Sequence, residues 1–150
     1  MELLLVLAHA GPAAIWLGSM AYSLFVVQPR IARVLRDQEQ AEDLYRELGA
    51  GNRWRVIGLI GLIGVAGAGL VAVDPEDGAG WWVVIAVKAV LWLAASGLFW
   101  WVSWRGWPRR VFALPEELPG QQRRFRLVAL ALLGLVGTAA VLGVAARFVS

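Results

Sequence analysis

No cysteine occurs anywhere in the chain, which excludes disulfides, thiolate metal sites and cysteine nucleophiles. There is a single histidine, His9, and there are two methionines, Met1 and Met20. Heme held by two histidines is therefore impossible within one chain. Copper(I), which prefers thiolate or thioether sulfur, finds only those two thioethers. The apolar runs hold no Asp or Glu, so catalytic triads and paired catalytic carboxylates have nothing to build them. No glycine-rich loop cradles a phosphate. The net charge of +3 does not indicate nucleic-acid binding, because the basic residues border apolar runs, where membrane topology accounts for them.

What the chain has in abundance is apolar sequence. Of its 150 residues 59% are hydrophobic, and the mean hydropathy is +0.64. Four runs account for the excess: about 3–27, 56–73, 81–104 and 127–148. Each holds about 18–25 residues, enough at 1.5 Å per residue to cross a hydrocarbon core of about 30 Å. A membrane barrel would need segments of about ten residues alternating apolar with polar, and these runs do not alternate. The expectation is an all-α, polytopic membrane protein: one domain, a bundle of four transmembrane helices. Ala8-His9-Ala10 resembles a signal-peptide cleavage site, but no basic residue precedes it and the apolar run continues past it. The first run is read as a retained helix.

The connection between runs one and two holds six arginines, and that between runs three and four holds six more. The remaining connection, DPEDGAG, has three acids and no basic residue. The positive-inside rule places both arginine-rich connections in the cytoplasm and the acidic one and both termini outside. In the first connection Ile31, Val34, Leu35, Leu44, Tyr45 and Leu48 recur at helical spacing. The first run is therefore expected to continue as a long helix to a break near Gly49-Ala50-Gly51-Asn52. That segment reads as an amphipathic connector at the lipid headgroups. The later PEELPG segment reads as a turn-rich loop.

Nine tryptophans divide into span-end anchors (Trp54, Trp81, Trp82, Trp104, Trp107) and deeper residues (Trp16, Trp92, Trp100, Trp101). Glycines at 58, 61, 64, 67 and 69, and again at 134, 137 and 143, make runs two and four slim elements that other helices can approach closely. The unusual side chains are left to runs one and three.

Two ionisable residues lie inside the runs. His9 stands six residues into the first and Lys88 seven residues beyond Trp81, each about 10 Å deep from the outer surface. Intramembrane ionisable residues usually face a bundle interior or water-filled cavity and mark a site. Asp74, Glu76 and Asp77 in the acidic loop, a carbonyl, a water or an anionic ligand are the candidate partners of Lys88. Ala13, Trp16 and Met20 share a helix face with His9. Pro12 leaves the carbonyl of Ala8 without its helical donor, so a bend and a polar notch are expected beside the imidazole.

His9, six residues, then Trp16-Leu17-Gly18, with Pro29-Arg30 at the far end of the helix, resembles the first helix of the CopD-like copper-resistance membrane proteins. The related HemJ-type protoporphyrinogen oxidases share the His-x6-Trp-x-Gly spacing, and the lysine in VVIAVKAVLWL also looks like both families. The resemblance implies a small inner-membrane bundle that either handles copper or binds heme b and oxidises protoporphyrinogen. It makes His9 the metal or heme ligand and Lys88 its companion; on the His9 helix face, Trp16 is a further candidate for cofactor binding and the Met20 thioether for the metal. HemJ-like proteins carry another histidine in the lysine-bearing helix, where this chain has Phe99 and Trp100, so copper transport or homeostasis without enzymatic activity is the leading expectation. A third reading is an accessory subunit of a larger membrane complex, such as a respiratory one, or a homo-oligomer, with the lipid bilayer as the common partner.

Overall fold

The computed structural model describes residues 2–35, 37–73, 75 and 78–146. Helix α1 (Glu2–Tyr22) runs without interruption through a five-residue π-helical segment, Ser23–Val27, into α2 (Gln28–Val34). After α3 (Gln38–Gly49), α4 (Asn52–Val73) returns across the bundle. Then α5 (Ala79–Trp101) passes through a second π-helical segment, Val102–Gly106, into the short α6 (Trp107–Val111), and α7 (Leu118–Ala146) closes the fold. There is no strand among the described residues.

Among the described residues, four helical stretches are long and apolar enough to span a membrane: Glu2–Val34, Asn52–Val73, Ala79–Val111 and Leu118–Ala146. Their most apolar windows are only 11%, 17%, 6% and 6% buried inside the protein, so these helices are apolar all round and need an apolar medium outside. The chain is a multi-pass membrane protein.

Several boundaries differ from expectation. The first long helix stops at Val34, because Leu35 and Asp37 are extended and the Asp37 side chain accepts from the Glu39 N–H to cap a separate α3. The expected break near Gly49 is a second one, where Gly51 takes φ +70°, a conformation that suits glycine. The third helix continues past Trp104 to Val111. The fourth begins inside the PEELPG loop, with Pro119 in its first turn, where a missing N–H costs nothing. Its expected end at Phe148 lies outside the described residues.

The spans form a ring. α1 packs on α4 and on α7, α5 packs on α7, and Trp92 of α5 reaches α4 to complete the circuit. α1 and α5 therefore stand diagonally and run parallel. The centre holds Trp16, Val56, Ile63, Ala95, Leu132 and Val136, with Phe99 edge-on to Trp16 at 6.3 Å. Trp16 thus fills the middle of the bundle, which is a packing role.

A candidate metal site and a closed ion pair

His9 lies on the same side of α1 as buried Trp16, two turns earlier. Its Nδ1 stands 2.8 Å from the carbonyl oxygen of Ile63 on α4. A carbonyl only accepts, so Nδ1 carries the proton, and in the neutral ring Nε2 keeps its lone pair. The carbonyl that holds His9 is thus on the neighbouring helix, not the Ala8 carbonyl freed by Pro12. α1 passes Pro12 as continuous helix.

Glycine makes this contact possible. A Cβ at Gly67 would stand 3.0 Å from both Cε1 and Nδ1 of His9, so a larger residue would push the ring off α4. One turn along, the arrangement recurs. The Trp92 indole N–H donates to the Ile60 carbonyl at 3.3 Å, and its ring covers Gly64, where a Cβ would stand 2.6 Å from Cζ2. In each case the glycine lies four residues after the acceptor, on the turn directly above it.

Lys88 is half-buried and lies along α7: its Nζ is 3.1 Å from where a Cβ on Gly143 would be. His9 therefore rests on α4 and Lys88 on α7. The loop acids named as partners for Lys88, and Met1, lie outside the described residues. Met20, eleven residues beyond His9 on one continuous helix, is about 16 Å further along it, so the two do not share one ion. Met20 packs against the core. Among the described residues no three His, Cys, Asp or Glu side chains gather as a metal cage.

At the arginine-rich end sits a second polar cluster, which the sequence reading did not single out. Arg110 donates through Nε to Glu42 Oε1 at 2.6 Å and through Nη2 to Oε2 at 2.9 Å, and Gln122 donates to Oε2 at 3.3 Å. Glu42 is 1% exposed and Arg110 9%. The guanidinium lies 5.3 Å from the Tyr45 ring and 4.9 Å from that of Phe125. Burial pushes the Glu42 carboxyl up. The hydrogen bond and charge of Arg110 outweigh it, helped by Gln122 and Arg46, and hold the group below the usual carboxylate range. Burial raises the Tyr45 phenol, whose hydroxyl donates to the Gln28 carbonyl at 3.2 Å. The Trp107 ring lies over Gly49. The first connection is thus clamped onto the bundle, not merely afloat among headgroups.

Beside the cluster, Arg53 donates to the Ser103 carbonyl in the second π-helical segment and lies 4.5 Å above Trp104. Trp104 in turn stacks on Trp100 at 3.9 Å.

No protein-family description, curated protein or solved structure matches the chain.

Proposed function

We propose that this is a CopD-like integral membrane protein that binds copper(I) within the bilayer and serves its transport or homeostasis, with Nε2 of His9 as the donor. The observation that supports this is the Nδ1 hydrogen bond to Ile63. Metal-ligating histidines almost always have their other ring N–H held by a carbonyl or carboxylate, which fixes tautomer and ring orientation. Here that hold is present and the coordinating nitrogen is left over.

The arginine-rich connections face the cytoplasm under the positive-inside rule, so both termini and the His9 layer face the outside of a bacterial-type inner membrane. Copper then arrives from outside, meets His9 first, and finds Met20 about 16 Å deeper as a separate soft donor.

The test is an anaerobic copper(I) titration against a competing chelator on the detergent-purified protein, preceded by an absorption spectrum. One ion per chain is expected, with binding lost in His9→Ala. Equal binding by that variant overturns the assignment. A Soret band on the purified protein would replace copper with heme b, for which the chain offers one axial imidazole. Co-purification with a larger assembly, with neither copper nor heme, would favour the accessory-subunit reading.

A further inference from the structure

The four spans do not meet equally. α1 lies close against α4 and α7, and α5 lies close against α7, but α4 and α5 are joined by long side chains. The Trp92 ring crosses from α5 to the Ile60 carbonyl, and Arg53 crosses from α4 to the Ser103 carbonyl. The arginine-rich mouth of this seam is lined with tryptophan from both helices. Trp100 stacks on Trp104 at 3.9 Å, and Trp54 meets Trp104 edge-on at 6.2 Å. The outer two rings of this wall are open to the surroundings, Trp54 at 70% and Trp100 at 57% exposure.

Charge at the mouth is not balanced. Arg53 is half-buried, and its guanidinium carries five N–H donors, one of which is given to the Ser103 carbonyl. The guanidinium carbon lies 4.5 Å from the Trp104 ring centre. A carbonyl and a ring face answer a cation only in part. Glu42 is paired with Arg110 and Asp43 with Arg46, and among the described residues no carboxylate pairs with Arg53. The 22 residues of α4 rise about 33 Å, so Arg53 in its first turn stands at the margin of the hydrocarbon, at the depth of lipid phosphates.

An apolar track leads from the mouth into the span. Gly61 stands seven residues beyond Trp54, and Leu93 seven residues before Trp100. Each therefore lies within about 20° of its tryptophan's direction and about 10 Å further in. Leu93 is exposed, and a Cβ on Gly61 would meet nothing within 4 Å. Cation, aromatic wall and apolar track follow one another in the order in which a phospholipid presents its phosphate, its glycerol and its acyl chain.

We infer that the α4–α5 seam binds one anionic phospholipid, with the phosphate on Arg53 and an acyl chain along Gly61 and Leu93. A guanidinium fork matches two phosphate oxygens. A zwitterionic headgroup brings its own cation to a rim that already holds one, so the anionic lipid is preferred. The site lies 14 residues, about 21 Å, along α4 from the Gly67 on which His9 rests, and it does not depend on the copper reading.

The probes are phosphatidylglycerol and phosphatidylcholine with matched chains, titrated onto the detergent-purified protein and counted by native mass spectrometry. One phosphatidylglycerol per chain is expected, held at least about fivefold more tightly than phosphatidylcholine, the scale of one cation acting on one anionic lipid. Arg53→Gln keeps a donor for the Ser103 carbonyl and removes that preference. Arg123→Gln, at an exposed arginine of the same end, keeps it. Gly61→Phe fills open space on the track, so it leaves the melting temperature in place and weakens both lipids. Equal retention of the two lipids by the wild type overturns the inference. So does an unchanged preference in Arg53→Gln, or an equal loss in Arg123→Gln, which would mean diffuse attraction by the whole basic end. Unaltered lipid binding by Gly61→Phe, or displacement of phosphatidylglycerol by free glycerol phosphate, would remove the seated chain and overturn it as well.

Discussion

The buried Glu42–Arg110 pair and the half-buried His9 are built into this protein on opposite plans. At the arginine-rich end, both oxygens of Glu42 are engaged by Arg110 and Gln122, and two aromatic rings cover the guanidinium. Nothing in that carboxylate is left for a guest. Near the other end, the His9 ring is held by one nitrogen on the Ile63 carbonyl, and no hydrogen bond among the described residues engages the other. A closed cluster spends its polar groups on the fold. An open one is positioned by the fold and spends little on it.

The comparison is most easily broken at Glu42. Glu42→Gln leaves a buried guanidinium facing a neutral amide, and removal of one partner of a buried pair costs about 3–5 kcal/mol. Thermal unfolding in detergent should show this loss, while copper binding per folded molecule stays unchanged. Joint replacement by Glu42→Leu and Arg110→Ile exchanges the buried pair for apolar side chains. It should recover most of the stability, since buried pairs exchanged for packed apolar residues are often neutral. A double variant as unstable as the single one would mean that the cluster does more than fill space.

Gly67→Val comes next. Its Cβ meets the His9 ring at 3.0 Å and its methyl groups extend further, so overpacking costs about 1–3 kcal/mol. The same variant should weaken copper binding at least tenfold, as the ring loses its carbonyl. Smaller in stability is His9→Ala, which gives up one hydrogen bond worth about 0.5–1.5 kcal/mol, yet abolishes binding. Opposite rankings for stability and binding at Glu42 and His9 are what two such plans require.

The smallest effect is on pH dependence. The Glu42 carboxyl sits below its ordinary value of 4.5 in the folded protein, so its contribution is complete above that value and is lost as pH falls through the lower, folded one. The melting temperature should therefore be insensitive to this group near neutrality and decline in acid. Glu42→Gln should make the acid limb shallower.

Much of the architecture was legible because it rests on quantities a sequence carries directly. Apolar run length marked four spans, and glycine spacing marked α4 and α7 as the helices that others approach. The site was legible only at its side-chain end. His9 and Lys88 stand out as letters, but the acceptors at Ile60 and Ile63 are backbone carbonyls, which every residue has. Only the glycines four positions later, Gly64 and Gly67, hinted at which carbonyls would be reached. Glu42 and Arg110 are 68 positions apart among twelve arginines in the two connections, and charge patterning does not choose one pair from so many. The break at Leu35 was hidden because apolar residues keep helical spacing across it, while the Asp37 cap decides locally.

Because His9 is the only histidine, the tautomer that carries this account can be read without assignment ambiguity, from the ring nitrogens of protein labelled with nitrogen-15 histidine and studied by NMR in lipid. The account predicts a proton on Nδ1 in the metal-free protein, and a shift of the Nε2 resonance alone when copper(I) is added. A ring protonated only at Nε2, or a copper-induced change at Nδ1 with Nε2 unmoved, would contradict it.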